Sequence, residues 1–242
     1  MHRLLLLTLS LGWLAFAGIA AAQDPAEPTI EQQAEIAAAE ANASLIATPG
    51  AWLRGDEPVY PDAERALGHH GRVDVRGLLG VDGRLRYATI VGSSRSPGLD
   101  AVALASALAD QYTPAKDASG NPIPVMFTTA RAFYSFTSSE GVGAAMYTCP
   151  QFVLDMDWFK ATWGEEALRD HYFYVLIRGL STIARMSAGG GIGAIESNAD
   201  YAARWDRAIE TCRDRPNWRF AQAMRPEGEY IDRMARNQQR GR

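Results

Sequence analysis

Asp82-Gly83 is the pair that most restricts how this chain can fold. A tight hairpin turn needs positive φ at its centre, and Asp-Gly reaches it at little steric cost. Its flanks agree with a hairpin. Val73, Val75, Leu79 and Val81 share one parity, the pattern of a strand with one buried face. Residues 85–91 read as the return strand, and a change of parity between Leu85 and Ile90 predicts a bulge.

Helices and a third strand extend this hairpin. Pro61 suits the first turn of a short helix over residues 62–67. Ser96-Pro97-Gly98 ends the return strand and opens a helix whose expected face is Ala101, Leu104, Ala105, Leu108 and Tyr112. Thr113-Pro114 ends that helix. Residues 125–136 are β-branched and aromatic, so they read as a third strand. The expected fold class is α+β: a small antiparallel three-stranded sheet with two helices, followed by a mostly α-helical, disulfide-linked region.

Upstream, residues 23–56 are rich in Ala and Glu. Thr29-Ile30-Glu31-Gln32 resembles a capping box and predicts a helix over about 30–45, stopped by Thr48-Pro49-Gly50. Its face is mostly alanine, so it reads as a spacer or a loosely docked helix. Downstream, residues 158–186 are helical and aromatic, with Gly164 and Gly179 as candidate interruptions, and Gly189 to Gly193 read as a hinge. A helix over 198–212 places Tyr201, Trp205, Ala208, Ile209 and Cys212 on one face. The chain ends in a basic tail, residues 233–242.

The N-terminus reads as an export signal: Arg3, an apolar stretch over 4–19, then Ala20-Ala21-Ala22 as a small-residue cleavage site. The competing reading is an uncleaved anchor, because the stretch is nearly long enough to span a bilayer. The mass of the mature N-terminus separates the two. Both place the remaining chain outside the cytoplasm, in the periplasm or anchored to the inner membrane and facing it. In an oxidising compartment an even cysteine count predicts a Cys149–Cys212 disulfide. A net charge of -4 offers nothing to nucleic acid.

One ordered set of motifs goes further. Tyr60-Pro61, Asp82-Gly83, Ser93-Ser94, Leu99-Asp100 and Tyr112-Thr113-Pro114-Ala115 follow one another within residues 57–137. Gly120-Asn121-Pro122-Ile123-Pro124-Val125 closes the series. The order resembles the C-terminal domain of TonB-family energy transducers. The departures are Arg95-Ser96 where a glycine is usual, Val102 where alanine is common, and Tyr112 in place of a frequent Phe. The resemblance implies that the last strand accepts a peptide strand from an outer-membrane transporter, held in part by the Tyr-Pro segment. Carried onto this chain, the partner-binding residues are Tyr60, Pro61, Val125, Phe127, Thr129, Arg131 and Phe133. The physical mode is β-augmentation, and the competing expectation is an edge covered by the C-terminal region.

Two features argue against a complete transducer, whose family pattern has an anchor Ser with a His one helical turn later and a long Pro-rich spacer. Ser10 has no His one helical turn later, and residues 23–57 are short and poor in proline compared with the family's spacer. No catalytic arrangement stands out. His69-His70 reads as a surface turn, since neighbouring residues rarely share one ion and a metal needs further ligands. Asp170 and His171 diverge if they are helical. The glycine run lacks the Lys-Ser/Thr of a phosphate loop. Asp155 and Asp157 lack calcium-loop spacing.

The reading is a non-enzymatic periplasmic binding module without cofactor or metal. Its partner would be a TonB-dependent transporter or another envelope protein, and it would meet a membrane only if the N-terminal segment is retained. The expected parts are a signal or anchor at 1–22, a spacer at 23–56, the TonB-like unit at 57–137 and a helical region at 138–242. The alternatives are an atypical anchored transducer, an enzyme with an unrecognised site in the helical region, and a purely structural envelope protein.

Overall fold

A computed structural model describes residues 28–136, 143–186 and 196–240. The export segment and the glycine run lie outside these residues. The first element is α1 (Ile30–Ala41), begun by the expected capping box: Thr29 accepts from the Gln32 amide and Gln32 accepts from Thr29. A 3-10 turn, Asn42–Leu45, follows. Then come β1 (Ala51–Arg54), α2 (Asp62–Ala66), β2 (Gly71–Leu79), β3 (Leu85–Gly92), α3 (Pro97–Ala109) and β4 (Gln111–Thr113). The short strands β5 (Ala115–Lys116) and β6 (Pro122–Ile123) lead into β7 (Val125–Phe133).

β2 is the centre of an antiparallel three-stranded sheet, in the order β3-β2-β7. The Asp82-Gly83 turn joins β2 to β3. Gly83 has φ 72°, and a Cβ there would lie 2.0 Å from the Tyr112 carbonyl oxygen, so the site suits only glycine. The expected bulge is present, and there are two. β3 carries an extra residue opposite Arg76–Leu78, where Tyr87 has φ 50°, and another opposite Asp74–Val75. Val73, Val75 and Leu79 are buried as their parity predicts, whereas Val81 lies in the turn and is exposed.

α3 packs across the buried face of the sheet, but not through the expected residues. Leu99, Ala103 and Ala107 are fully buried, Leu104 is half-buried and Leu108 is exposed. Tyr112 belongs to β4 and fills the core from there. Small alanines let the helix approach the strands, and Leu99, Val75 and Phe133 occupy the space between them. Asp100 ties the entry of α3 to the end of β3, accepting from the Ser93 hydroxyl at 2.6 Å, the Ser94 hydroxyl at 2.8 Å and the Ser94 amide at 2.9 Å. The Ser-Ser and Leu-Asp motifs are therefore one hydrogen-bonded corner. α1 lies on the other face. Ala39 is buried there, Glu40 meets Arg76 at 3.6 Å, and Asn42 Nδ2 donates to the Pro124 oxygen at 2.9 Å.

The helical region consists of α4 (Gly143–Met146), α5 (Cys149–Trp163), a 3-10 turn Glu166–Asp170, α6 (Tyr172–Arg185), α7 (Asn198–Asp214), α8 (Phe220–Ala223) and α9 (Glu227–Arg240). Gly164 ends α5, and Gly179 leaves α6 unbroken. The predicted α7 face is buried throughout: Tyr201, Trp205, Ala208, Ile209 and Cys212. The rings of Tyr147, Phe152, Phe173, Trp205 and Phe220 form its centre, and fully burying a side chain of this size contributes about 1.5–3 kcal/mol. Cys149 and Cys212 are joined in a disulfide that fastens the start of α5 to the last turn of α7.

Candidate functional site

The sheet has two edges of different quality. β3 is interrupted by its two bulges, which twist an edge strand away from regular pairing. β7 pairs with β2 through nine consecutive positions, from Gly71 with Phe133 to Leu79 with Val125, without a break. On its other side β7 has no strand neighbour among the described residues. A regular strand with one unpaired flank is the geometry that strand addition needs.

The side chains of β7 divide by parity. Val125 and Phe133 are in the core, and Phe127 packs against it. Thr129 and Arg131 share that face and are half-buried. Arg131 donates to the Asp110 carboxylate, to Ser106 Oγ at 3.0 Å and to Thr129 Oγ1 at 3.0 Å. Asp110 also accepts from Trp52 Nε1 at 3.0 Å, which fastens β1 against the end of α3. The odd-numbered residues expected to bind a partner therefore hold β7 in the sheet. An added strand would meet the main chain of β7, with Thr128 and Ala132 exposed on the opposite parity.

Tyr60 is also engaged. Its hydroxyl donates to the His69 carbonyl oxygen at 2.5 Å, its ring lies 6.0 Å from that of Phe133, and the Arg65 guanidinium sits over it at 4.8 Å. Burial pushes its phenol up to about 12. Pro61 is the N-cap of α2, with φ -63°. Tyr60 thus reaches the Phe133 end of β7, although no sequence signal joins the two positions.

A family model described as the Gram-negative bacterial TonB protein C-terminal matches residues 56–134. These residues form a TonB C-terminal-like domain. A similar solved structure, the solution NMR structure of Pseudomonas aeruginosa TonB CTD, is 27% identical, with 38% of this chain and 91% of that chain covered and a TM-score of 0.31. No curated protein matches the chain. Among the described residues no group of three or more His, Cys, Asp or Glu could hold a metal ion, and no helix is long and apolar enough to cross a membrane.

The TonB-like domain meets the helical region through two histidines that lie 101 residues apart. His70 is not on a surface turn: it and His171 are each 2% exposed, and their Nε2 atoms are 2.8 Å apart. The surrounding bonds fix both tautomers. His70 Nδ1 faces the Gly68 carbonyl oxygen at 2.7 Å, so it carries the proton and donates. His171 Nδ1 accepts from the Phe173 amide at 3.2 Å as the N-cap of α6, so its proton is on Nε2 and is donated to His70 Nε2. Every ring nitrogen is used, and only in the neutral state. Phe159 stacks on His70, and the rings of Trp158 and Tyr134 flank it. Beside this pair, Gln151 Nε2 donates to the Arg65 carbonyl oxygen at 2.9 Å, and buried Asp155 accepts from Tyr147 at 2.6 Å and Gln151 at 2.6 Å.

This seam sets a pH dependence. Burial pushes His70 down to about 4 and His171 to about 3, from 6.5. The unfolded chain therefore takes up protons first as pH falls. The pair's contribution to stability is full above about pH 6.5 and is lost as pH falls from there through about 4 for His70 and about 3 for His171. Asp155 acts oppositely: burial raises it to about 6 from 3.8, so its contribution is present below about 3.8 and lost as pH rises through about 6. His171→Asn keeps an N-cap acceptor for α6 but removes one titrating ring. The acid-side slope of unfolding free energy between pH 6.5 and 4 should flatten by about 1.4 kcal/mol per pH unit. Urea titrations at several pH values measure it, and an unchanged slope would show that the seam opens before it titrates.

Proposed function

We propose that this chain is a non-enzymatic periplasmic protein-binding module. Its β7 edge takes up an extended segment of an outer-membrane transporter or another envelope protein by strand addition. The observation that carries the reading is the unbroken nine-position strand, with no strand neighbour on its second flank among the described residues. Main-chain N–H and C=O groups on that flank supply affinity, and the side chains of the incoming strand supply selectivity. The helical region buttresses the far side of the α2 segment through the histidine seam. Tyr60 and Pro61 support the Phe133 end of the edge.

The test is titration of the full chain with N-terminal peptides of TonB-dependent transporters, read by backbone NMR shifts. Consecutive amides along a strand point to opposite sides, so proline at Thr128 and proline at Thr129 form a matched pair. The one that removes an outward donor should weaken binding about fivefold while leaving the fold intact, since one hydrogen bond contributes about 1 kcal/mol. The other removes a bond to β2 and should lower stability. Equal effects of the two on binding, or shifts confined to other surfaces, would sink strand addition.

A further inference from the structure

α6 departs from an ordinary surface helix on its outer side. Its inner face, Phe173, Ile177 and Ser181, is buried. Its outer face should be polar, yet Tyr172, Val175, Leu176 and Ile183, with Met186 just beyond the helix, are 36–53% exposed. α6 contains no acidic residue. Both of its arginines are drawn to one side by Glu196: Arg178 donates to the Glu196 carbonyl oxygen at 2.5 Å, and Arg185 approaches its carboxylate at 3.4 Å. Neither crosses the apolar stripe.

α9 packs against α6. It turns Ile231 and Ala235 to the same aromatic core, so the outer faces of the two helices are neighbours on one surface. On α9 that face holds Arg233, Arg236 and Arg240, spaced i, i+3, i+7, all exposed and with no ion pair among the described residues. The last ten residues carry four arginines and no acid.

We propose that the outer face of α6 and the arginine row of α9 form a docking surface for an anionic phospholipid bilayer. Apolar side chains beside unneutralised cations match an interface where the stripe enters the acyl boundary and the guanidiniums meet phosphates. A second copy of the chain fits less well. A two-fold contact across α6 would set two arginine rows in one interface with no carboxylate on α6 to receive them. One helix face also falls short of the roughly 800 Å² per partner that stable dimers bury. This inference is independent of the strand-edge reading.

The experiment is co-sedimentation of the chain from Gln23 onward, which keeps every described residue and removes the apolar N-terminal stretch. It is mixed with vesicles of phosphatidylcholine alone or containing phosphatidylglycerol. Binding should require phosphatidylglycerol and weaken with salt. Arg236→Ala with Arg240→Ala should reduce it about tenfold or more, at about 1 kcal/mol for each cation at an anionic surface. Val175→Glu with Ile183→Glu, both exposed, should abolish it without changing the thermal midpoint. No binding, binding indifferent to lipid charge, or parent-like binding by the Val175/Ile183 variant would overturn the proposal. A concentration-dependent dimer that this variant dissociates, without vesicle binding, would assign the face to a second copy and overturn it equally.

Discussion

Asp110→Ala should remove about 3–5 kcal/mol of stability, because it leaves a buried guanidinium without its partner. The Asp110 side chain is 3% exposed and that of Arg131 10%. Asp110 also receives the Trp52 indole N–H, and Arg84 donates to its backbone carbonyl oxygen at 3.4 Å. One carboxylate therefore holds β1, the end of α3 and β7 together. Arg131→Met should cost a similar amount, since it strands the carboxylate instead. The double variant is the informative control. Replacing a whole buried pair with apolar groups is often close to neutral, so Asp110→Ala with Arg131→Met should be more stable than either single change. Urea midpoints give all three values. If the single variants lose under about 1 kcal/mol, as exposed pairs do, water reaches this pair. The double variant also separates architecture from recognition, because Arg131 lies on the strand proposed to take up a partner.

Reducing the Cys149–Cys212 bridge is expected to have the next largest effect. The cysteines are 63 residues apart, and closing a loop of that length restricts the unfolded chain by about 4 kcal/mol in the chain-entropy account. Neither cysteine belongs to the core of the TonB-like domain, and both belong to that of the helical region. Amide exchange should therefore accelerate first in α5 and α7, with β2 and β7 retaining more of their protection. Cys149→Ser with Cys212→Ser should reproduce the pattern without reductant. Uniform acceleration throughout the chain would mean that the histidine seam makes the two parts one cooperative unit. Both thiols reacting with an alkylating reagent in unreduced, denatured protein would exclude the bridge itself.

The local chemistry of this fold was legible and its long-range contacts were not. A turn that demands Asp-Gly, a capping box and a helix face of Tyr201, Trp205 and Ile209 each act within a few residues, so they can be read in order along the chain. The face of α3 is not legible in the sequence, because leucines outweigh alanines in any reading by hydrophobicity. The helix instead presents Ala103 and Ala107, where closeness to the sheet matters more than side-chain size. His70 reads as a surface residue in the sequence because its partner, His171, is 101 residues away. β1 pairs with β4 and its Trp52 reaches Asp110, 58 residues on. In the candidate site, the motif order pointed to β7, and the unbroken pairing with β2 supplies a physical reason to prefer that edge over β3. Alternation alone could not tell which parity of β7 faces the core, since Thr128, Thr129, Ala130 and Ala132 carry little contrast.

The chain runs directly from Phe133, the last residue of β7 and part of the core of the TonB-like domain, to Phe136, whose ring stacks on Phe173 at 4.3 Å in the helical core. The strand is thus gripped at its exit by a second hydrophobic body, and along its length by β2. Tension applied along a strand lying beside β7 would load the ladder in shear, with many hydrogen bonds sharing it, rather than peel them one at a time. The wedge at Phe136 would oppose slippage of β7 past β2. In mechanical terms the helical region would work as an anchor plate behind the sheet, and Phe136→Ala should lower the force at which β7 slides before it changes the affinity for the proposed partner.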